Sequence, residues 1–201
     1  MRTVGWFVVV ALAVVCAAPL ARAQTARPAS AVSDGAAIWT VAGNSGWGVE
    51  VFHSDPGHDY LMPSVSWGRV LTGPRGPGAL RGHFEWAVEG VPLFAQRRPQ
   101  RLVGVGFSPL VWRWNFVPRG RVAPYAELAG GLLWTNKPIP AETTTVNWTA
   151  FAGAGLRIMA TASQGLVLGY RFHHISNGNR LEKNPGVNAN MAHIGWTLIR
   201  R

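Results

Sequence analysis

Apolar residues recur at every second position along most of this chain and almost never at helical spacing. A period of two belongs to strands with chemically different faces, and it narrows the possible folds more than any other feature. The clearest case is RGHFEWAVEG. There Gly82, Phe84, Trp86 and Val88 share one face, and Arg81, His83, Glu85, Ala87 and Glu89 the other. Further on, Val122, Ala126, Leu128, Leu132 and Trp134 oppose Tyr125 and Glu127. Val146, Trp148, Leu156 and Ile158 oppose Asn147, Thr149, several glycines and Arg157. Eight such segments, roughly 39–52, 58–71, 79–94, 101–116, 121–134, 145–160, 165–176 and 188–199, predict an all-β chain of antiparallel strands.

Residues 1–23 stand apart. Arg2 gives a positive start, Gly5 to Pro19 is almost wholly apolar, and Ala21-Arg22-Ala23 has the form of a cleavage site. The segment reads as a secretory signal peptide, which leaves 24–201 as one barrel domain. Cys16, the only cysteine, lies inside it, so the mature chain has neither disulfides nor a cysteine nucleophile. Gln24 to Gly35 reads as a flexible lead-in. With Arg2 and Arg22 gone, 17 basic side chains face 9 acidic ones. In an exported chain that surplus points to anionic lipid rather than nucleic acid.

No apolar run after residue 23 approaches the roughly 18 residues of a membrane helix. Two architectures accommodate eight alternating strands: a soluble sandwich or barrel with its apolar face inside, and an outer-membrane barrel with its apolar face towards lipid. The glycine-rich, charged face suits a crowded lumen. Trp47, Trp67, Trp86, Trp112, Trp114, Trp134, Trp148 and Trp196 sit near segment ends, as an aromatic girdle requires. The predicted fold is therefore an eight-stranded antiparallel transmembrane β-barrel of a Gram-negative outer membrane. Pro63, Pro109 and Pro124 mark bulges or kinks. With both termini periplasmic, the outer loops fall at 53–58, 95–100, 135–144 and 177–187, and the short inner turns are PRGPG, PRG and ASQG.

The seventh segment ends in YRFHHISNGN. Leu166, Leu168, Tyr170 and Phe172 mark its lipid face, and His174 and Ser176 continue that row. His173 points the other way, as a hydrogen-bonding group in the lumen. Polar side chains on a lipid face are costly unless they act. The eighth segment pairs with the seventh as a hairpin, which brings Asn188 or Asn190 beside His174. Such a group suits ester hydrolysis: His174 takes the proton of Ser176, Ser176 attacks the acyl carbonyl, and N–H donors hold the oxyanion. Asn177 and Gly178 are the candidate donors. Arg97, Arg98, Arg180 and Lys183 are candidate ligands for lipid phosphates.

His174-Ile175-Ser176-Asn177 resembles the His-x-Ser-Asn motif of the lipid A 3-O-deacylase (PagL) family, specifically over about residues 165–199. The resemblance implies an outer-membrane serine esterase that removes an acyl chain from lipid A in the outer leaflet. His174 would be its base and Ser176 its nucleophile. Where that family has a glutamate twelve residues after the serine, this chain has Asn188. Outer-membrane phospholipase A carries a similar motif with asparagine as third member, but it is a larger, calcium-dependent barrel of twelve strands. Glu182, the nearby carboxylate, lies in a loop and off the strand register. No motif calls for a cofactor or a tightly bound metal. Two alternatives stand beside the deacylase: a phospholipase A-type hydrolase, and a non-catalytic structural barrel. Whether the barrel forms a homodimer is left open.

Overall fold

The computed structural model describes residues 32–118 and 120–201, so the signal-peptide reading lies outside the described residues. Nine strands follow one another: β1 (Ala37–Val49), β2 (Asp59–Leu61), β3 (Ser64–Val70), β4 (Gly82–Arg98), β5 (Leu102–Phe116), β6 (Val122–Thr135), β7 (Val146–Met159), β8 (Gln164–Ser176) and β9 (Val187–Arg200). Each pairs antiparallel with its neighbours in the sheet, and β1 pairs with β9 from Ala37↔Arg200 to Val49↔Asn188. The sheet is thus closed, with no free edge. β2 and β3 both pair with β1 and β4, and together they are one barrel strand broken at Met62-Pro63. A proline lacks the N–H that an interior ladder needs. The architecture is the expected eight-stranded barrel.

Prolines lie at two of the other register shifts. The β4–β5 register shifts between Val91 and Phe94, around Pro92, and the β5–β6 register shifts between Phe107 and Leu110, around Pro109. Pro124 sits in register opposite Leu156 without a bulge, contrary to expectation. After the Pro92 shift β4 continues to Arg98, beyond the predicted end at 94. Arg97 and Arg98 therefore end a strand instead of lying within a loop of 95–100. Nor is the whole lead-in loose. Val32 and Ala36 are buried against Ile38, Val70, Met159 and Ile199, closing the lumen at the end that carries the short turns 117–121 and 160–163 and the connection 71–81, which is longer than predicted.

The faces are inverted relative to a soluble barrel. Val41, Val105, Phe107, Leu110, Leu128, Tyr170 and Ile194 are exposed on the outer wall, and no tryptophan of β1–β9 is buried. The lumen instead holds charge. Arg113 contacts Glu85 at 2.9 Å and Glu127 at 2.8 Å. Arg171 grips Glu89 through both Nη atoms at 2.9 Å and donates from Nε to Glu127 at 2.7 Å. Arg157 reaches Glu85 at 3.2 Å. Three cations and three anions from five strands neutralise one another in a water-poor interior, where unpaired charges are prohibitive. Above this layer an apolar plug fills the long-loop end, including Tyr60, Met62, Phe94, Ile139, Ile175 and Met191. His173 sits at the junction, its Nδ1 2.7 Å from the Tyr60 hydroxyl, a lumen hydrogen bond as its parity predicts.

Removing one member of the ionic layer strands its partners. Arg171→Met leaves Glu89 and Glu127 without their bidentate and Nε contacts and should destabilise the barrel by about 3–5 kcal/mol. Lys183→Met, which breaks the exposed Lys183–Glu142 pair, should leave stability unchanged. Urea unfolding in detergent micelles, followed by tryptophan emission, checks the contrast.

Candidate active site

Parity places the site. Along β8, Arg171, His173 and Ile175 are buried in the lumen, and Tyr170, Phe172, His174 and Ser176 lie on the outer wall. His174 and Ser176 are two residues apart on one face, about 6.7 Å between Cα atoms. Across the sheet His174 stands opposite Ala150 on one side and Asn188 on the other; Ser176 stands opposite Trp148. The small side chain of Ala150 leaves open wall beside His174, between the tryptophan and the histidine. All of this occurs at the end of the barrel that carries the long loops.

His174 Nδ1 lies 2.7 Å from Asn188 Oδ1. The amide's other end decides the proton's position. Asn188 Nδ2 donates to the carbonyl of Val51 at 2.8 Å, and a carbonyl can only accept. The oxygen of Asn188 must therefore face the ring, so Nδ1 carries the hydrogen and Nε2 keeps the basic lone pair. Val51 is held in turn. Its N–H donates to Ser54 Oγ at 3.2 Å, Ser54 Oγ donates to the Val49 carbonyl at 3.0 Å, and the Ser54 N–H donates to the Val51 carbonyl at 3.2 Å. Asp55 N–H reaches the carbonyl of Gly186 at 3.0 Å and ties the first long loop to the fourth. No reading of side-chain types finds Val51, because its contribution is a backbone carbonyl.

The loop after Ser176 is braced locally. Asn177 is buried, its N–H donating to Asn184 Oδ1 at 3.1 Å and its Nδ2 to the carbonyl of Lys183 at 2.9 Å. The Gly178 amide takes no part in these bonds. Gly178 (φ +65°) and Gly186 (φ +69°) adopt a backbone that disfavours side chains. A Cβ at Gly178 would lie 2.7 Å from Trp148, and one at Gly186 would lie 3.1 Å from His174 Cε1. Arg180 donates to the carbonyls of Asn177 and Val146, and Lys183 pairs with Glu142, whose carboxyl that hydrogen bond holds below its usual range. Both cations stand in the loop that leaves the site. Arg97 and Arg98 do not: they end β4, four barrel strands away in either direction, and Arg98 pairs with Asp59. Glu182 is exposed and is not the partner of His174.

A family model described as Lipid A 3-O-deacylase (PagL) matches residues 46–197, which include every element of this site. The chain belongs to that family. Its members are lipid A deacylases, and the chain is accordingly an outer-membrane hydrolase in class. Among solved structures it is similar to the outer membrane enzyme PagL, with 14% identity, 78% of this chain and 97% of that one covered, and a TM-score of 0.58. It is also similar to Neisserial surface protein A (NspA; 14% identity, 82% and 99% covered, TM-score 0.54) and to OprG from Pseudomonas aeruginosa (8% identity, 86% and 100% covered, TM-score 0.53). At these identities the likenesses establish the outer-membrane barrel fold alone. The comparison with curated proteins gave no match.

The tautomer is directly measurable. Nitrogen-15 spectra of the labelled protein should show His174 with its hydrogen on Nδ1. Asn188→Leu, of similar size and without an acceptor, should abolish that preference. An Nε2–H ring in the wild type would overturn the orientation derived for the amide.

Proposed function

We propose that this PagL-family barrel is a serine esterase that removes the 3-O-linked acyl chain of lipid A, with its long loops and its site at the outer leaflet. The observation that carries this is the outward Asn188–His174 pair on the wall that also bears Ser176. His174 and Ser176 are partly accessible there, where polar side chains meet lipid, not water, and Asn188 is buried beside them. In this reading His174 Nε2 takes the Ser176 Oγ proton as Oγ attacks the ester carbonyl carbon. The Gly178 N–H, in the turn pinned by Asn177, supports the negative charge that develops on the carbonyl oxygen. Collapse breaks the bond to the sugar oxygen, which leaves with the proton from His174. Water then attacks the acyl-serine, His174 again serving as base, and a free fatty acid is released. Arg180 and Lys183 face the phosphorylated sugar head group. Arg97 and Arg98 are too far round the barrel to join them.

The amide at Asn188 favours one second reading, a phospholipase on the same residues. Release of fatty acid from purified phospholipid, absent with lipid A, would select it.

A fluorophosphonate should label Ser176 in the folded protein and fail to label it in His174→Ala. Mass spectrometry should show lipid A lacking one acyl chain in cells that express the protein. Asn188→Ala should lower the rate by about 10²–10⁴, Glu182→Ala should change it little, and Asn188→Glu should retain or raise it. Loss of activity in Glu182→Ala with none in Asn188→Ala would reverse the assignment of the third member. A folded wild type that neither labels nor deacylates would leave a structural barrel as the function.

A further inference from the structure

The charge of the described chain is distributed in a way that composition hides. The lumen is balanced, with Arg113, Arg157 and Arg171 against Glu85, Glu89 and Glu127. The long-loop rim is nearly so: Arg97, Arg98, Arg101, Lys137, Arg180 and Lys183 share it with Glu50, Asp55, Asp59, Glu142 and Glu182. At the short-turn rim Arg69, Arg75, Arg81, Arg121 and Arg200 share the end with one acidic side chain, Asp34. Almost all of the excess positive charge is therefore at one end of the barrel.

Tryptophans fix that end in the membrane. Trp39, Trp67, Trp86, Trp112, Trp114 and Trp196 occupy the short-turn half of the outer wall, and Trp67 packs edge-on against Trp86 with ring centroids 6.2 Å apart. Indole rings settle at head-group depth, so arginines one step beyond them lie among the lipid phosphates. Two are placed with particular precision. Ala37 pairs with Arg69 on one side and Arg200 on the other, and all three point outward. The arginines are thus about 10 Å apart at Cα, across a strand that offers only a methyl group between them. Neither has an acidic partner among the described residues. The next outward row is Trp67, Trp39 and Leu198, and the row after it is Val65, Val41 and Trp196.

We propose that this lane of β3, β1 and β9 is a binding site for an anionic phospholipid of the leaflet at the short-turn end. The phosphate sits over Ala37 between the two guanidinium groups, whose planar forks suit phosphate oxygens. The acyl chains run along the tryptophan and valine rows. The site is at the opposite end of the outer wall from His174 and Ser176, and it does not depend on their chemistry.

Native mass spectrometry of the full barrel, released from nanodiscs of mixed phosphatidylglycerol and phosphatidylcholine, tests the proposal. The wild type should retain phosphatidylglycerol preferentially. An arginine at a lipid surface contributes about a fivefold preference, so Arg69→Gln/Arg200→Gln should lose roughly thirtyfold. Arg75→Gln/Arg121→Gln removes the same charge from the same rim and should lose far less. Glycerol phosphate should not displace the lipid, because it has no chains to meet the tryptophans. Heat-dependent gel mobility confirms that each variant is folded. Equal loss in the two double variants would reduce the site to diffuse rim charge. A wild type without preference would remove it, and displacement by glycerol phosphate would make it a phosphate seat only.

Discussion

The ionic layer of Arg113, Arg157 and Arg171 with Glu85, Glu89 and Glu127 is the constraint from which the rest of the molecule follows. Eight strands enclose too little space for an aqueous channel, yet the lumen must be filled and its charge must cancel. Because the network draws on β4 to β8, it fixes which parity of each of those strands faces inward. On β8 the inward set is anchored by Arg171, with His173 and Ile175 in the same row. His174 and Ser176 are then outward by necessity. A slip of one residue would bury the candidate nucleophile and expose Arg171 to lipid, so a single choice of register specifies both stability and the site.

The periodic part of this design was legible in the sequence. The strand ranges, the inverted faces, the lumen position of His173 and the pairing of His174 with β9 all follow from alternation and hairpin geometry, where each residue constrains its neighbours. What escaped depends on single departures from the period. The shift around Pro92 turns Phe94 into the plug and carries β4 on to Arg98, so a cation assigned to a loop near the substrate ends a distant strand. Val32 and Ala36 lie in a segment too short and too plain to show a period, yet they close the lumen. The orientation of Asn188 depends on the Val51 carbonyl, and backbone groups of irregular loops leave no trace in residue type. Equally hidden is the rim polarity, since residues far apart in the chain become neighbours only when the barrel closes.

An asparagine in place of the family's glutamate is intelligible in this setting. A carboxylate on the outer wall would need compensation for its lost hydration, whereas an amide is neutral and needs two hydrogen bonds. Asn188 has both: His174 on one side and the Val51 carbonyl on the other. The usual danger of replacing an acid by its amide is that the N–H₂ end turns to the imidazole and selects the wrong tautomer. Here that end is already occupied by the Val51 carbonyl, so the oxygen is held towards Nδ1. What the amide cannot supply is the charge that would stabilise an imidazolium as Ser176 loses its proton. In the proposed mechanism the chain thus keeps the positioning role of the third residue and gives up its electrostatic one, and the first long loop becomes part of the catalytic geometry through one carbonyl.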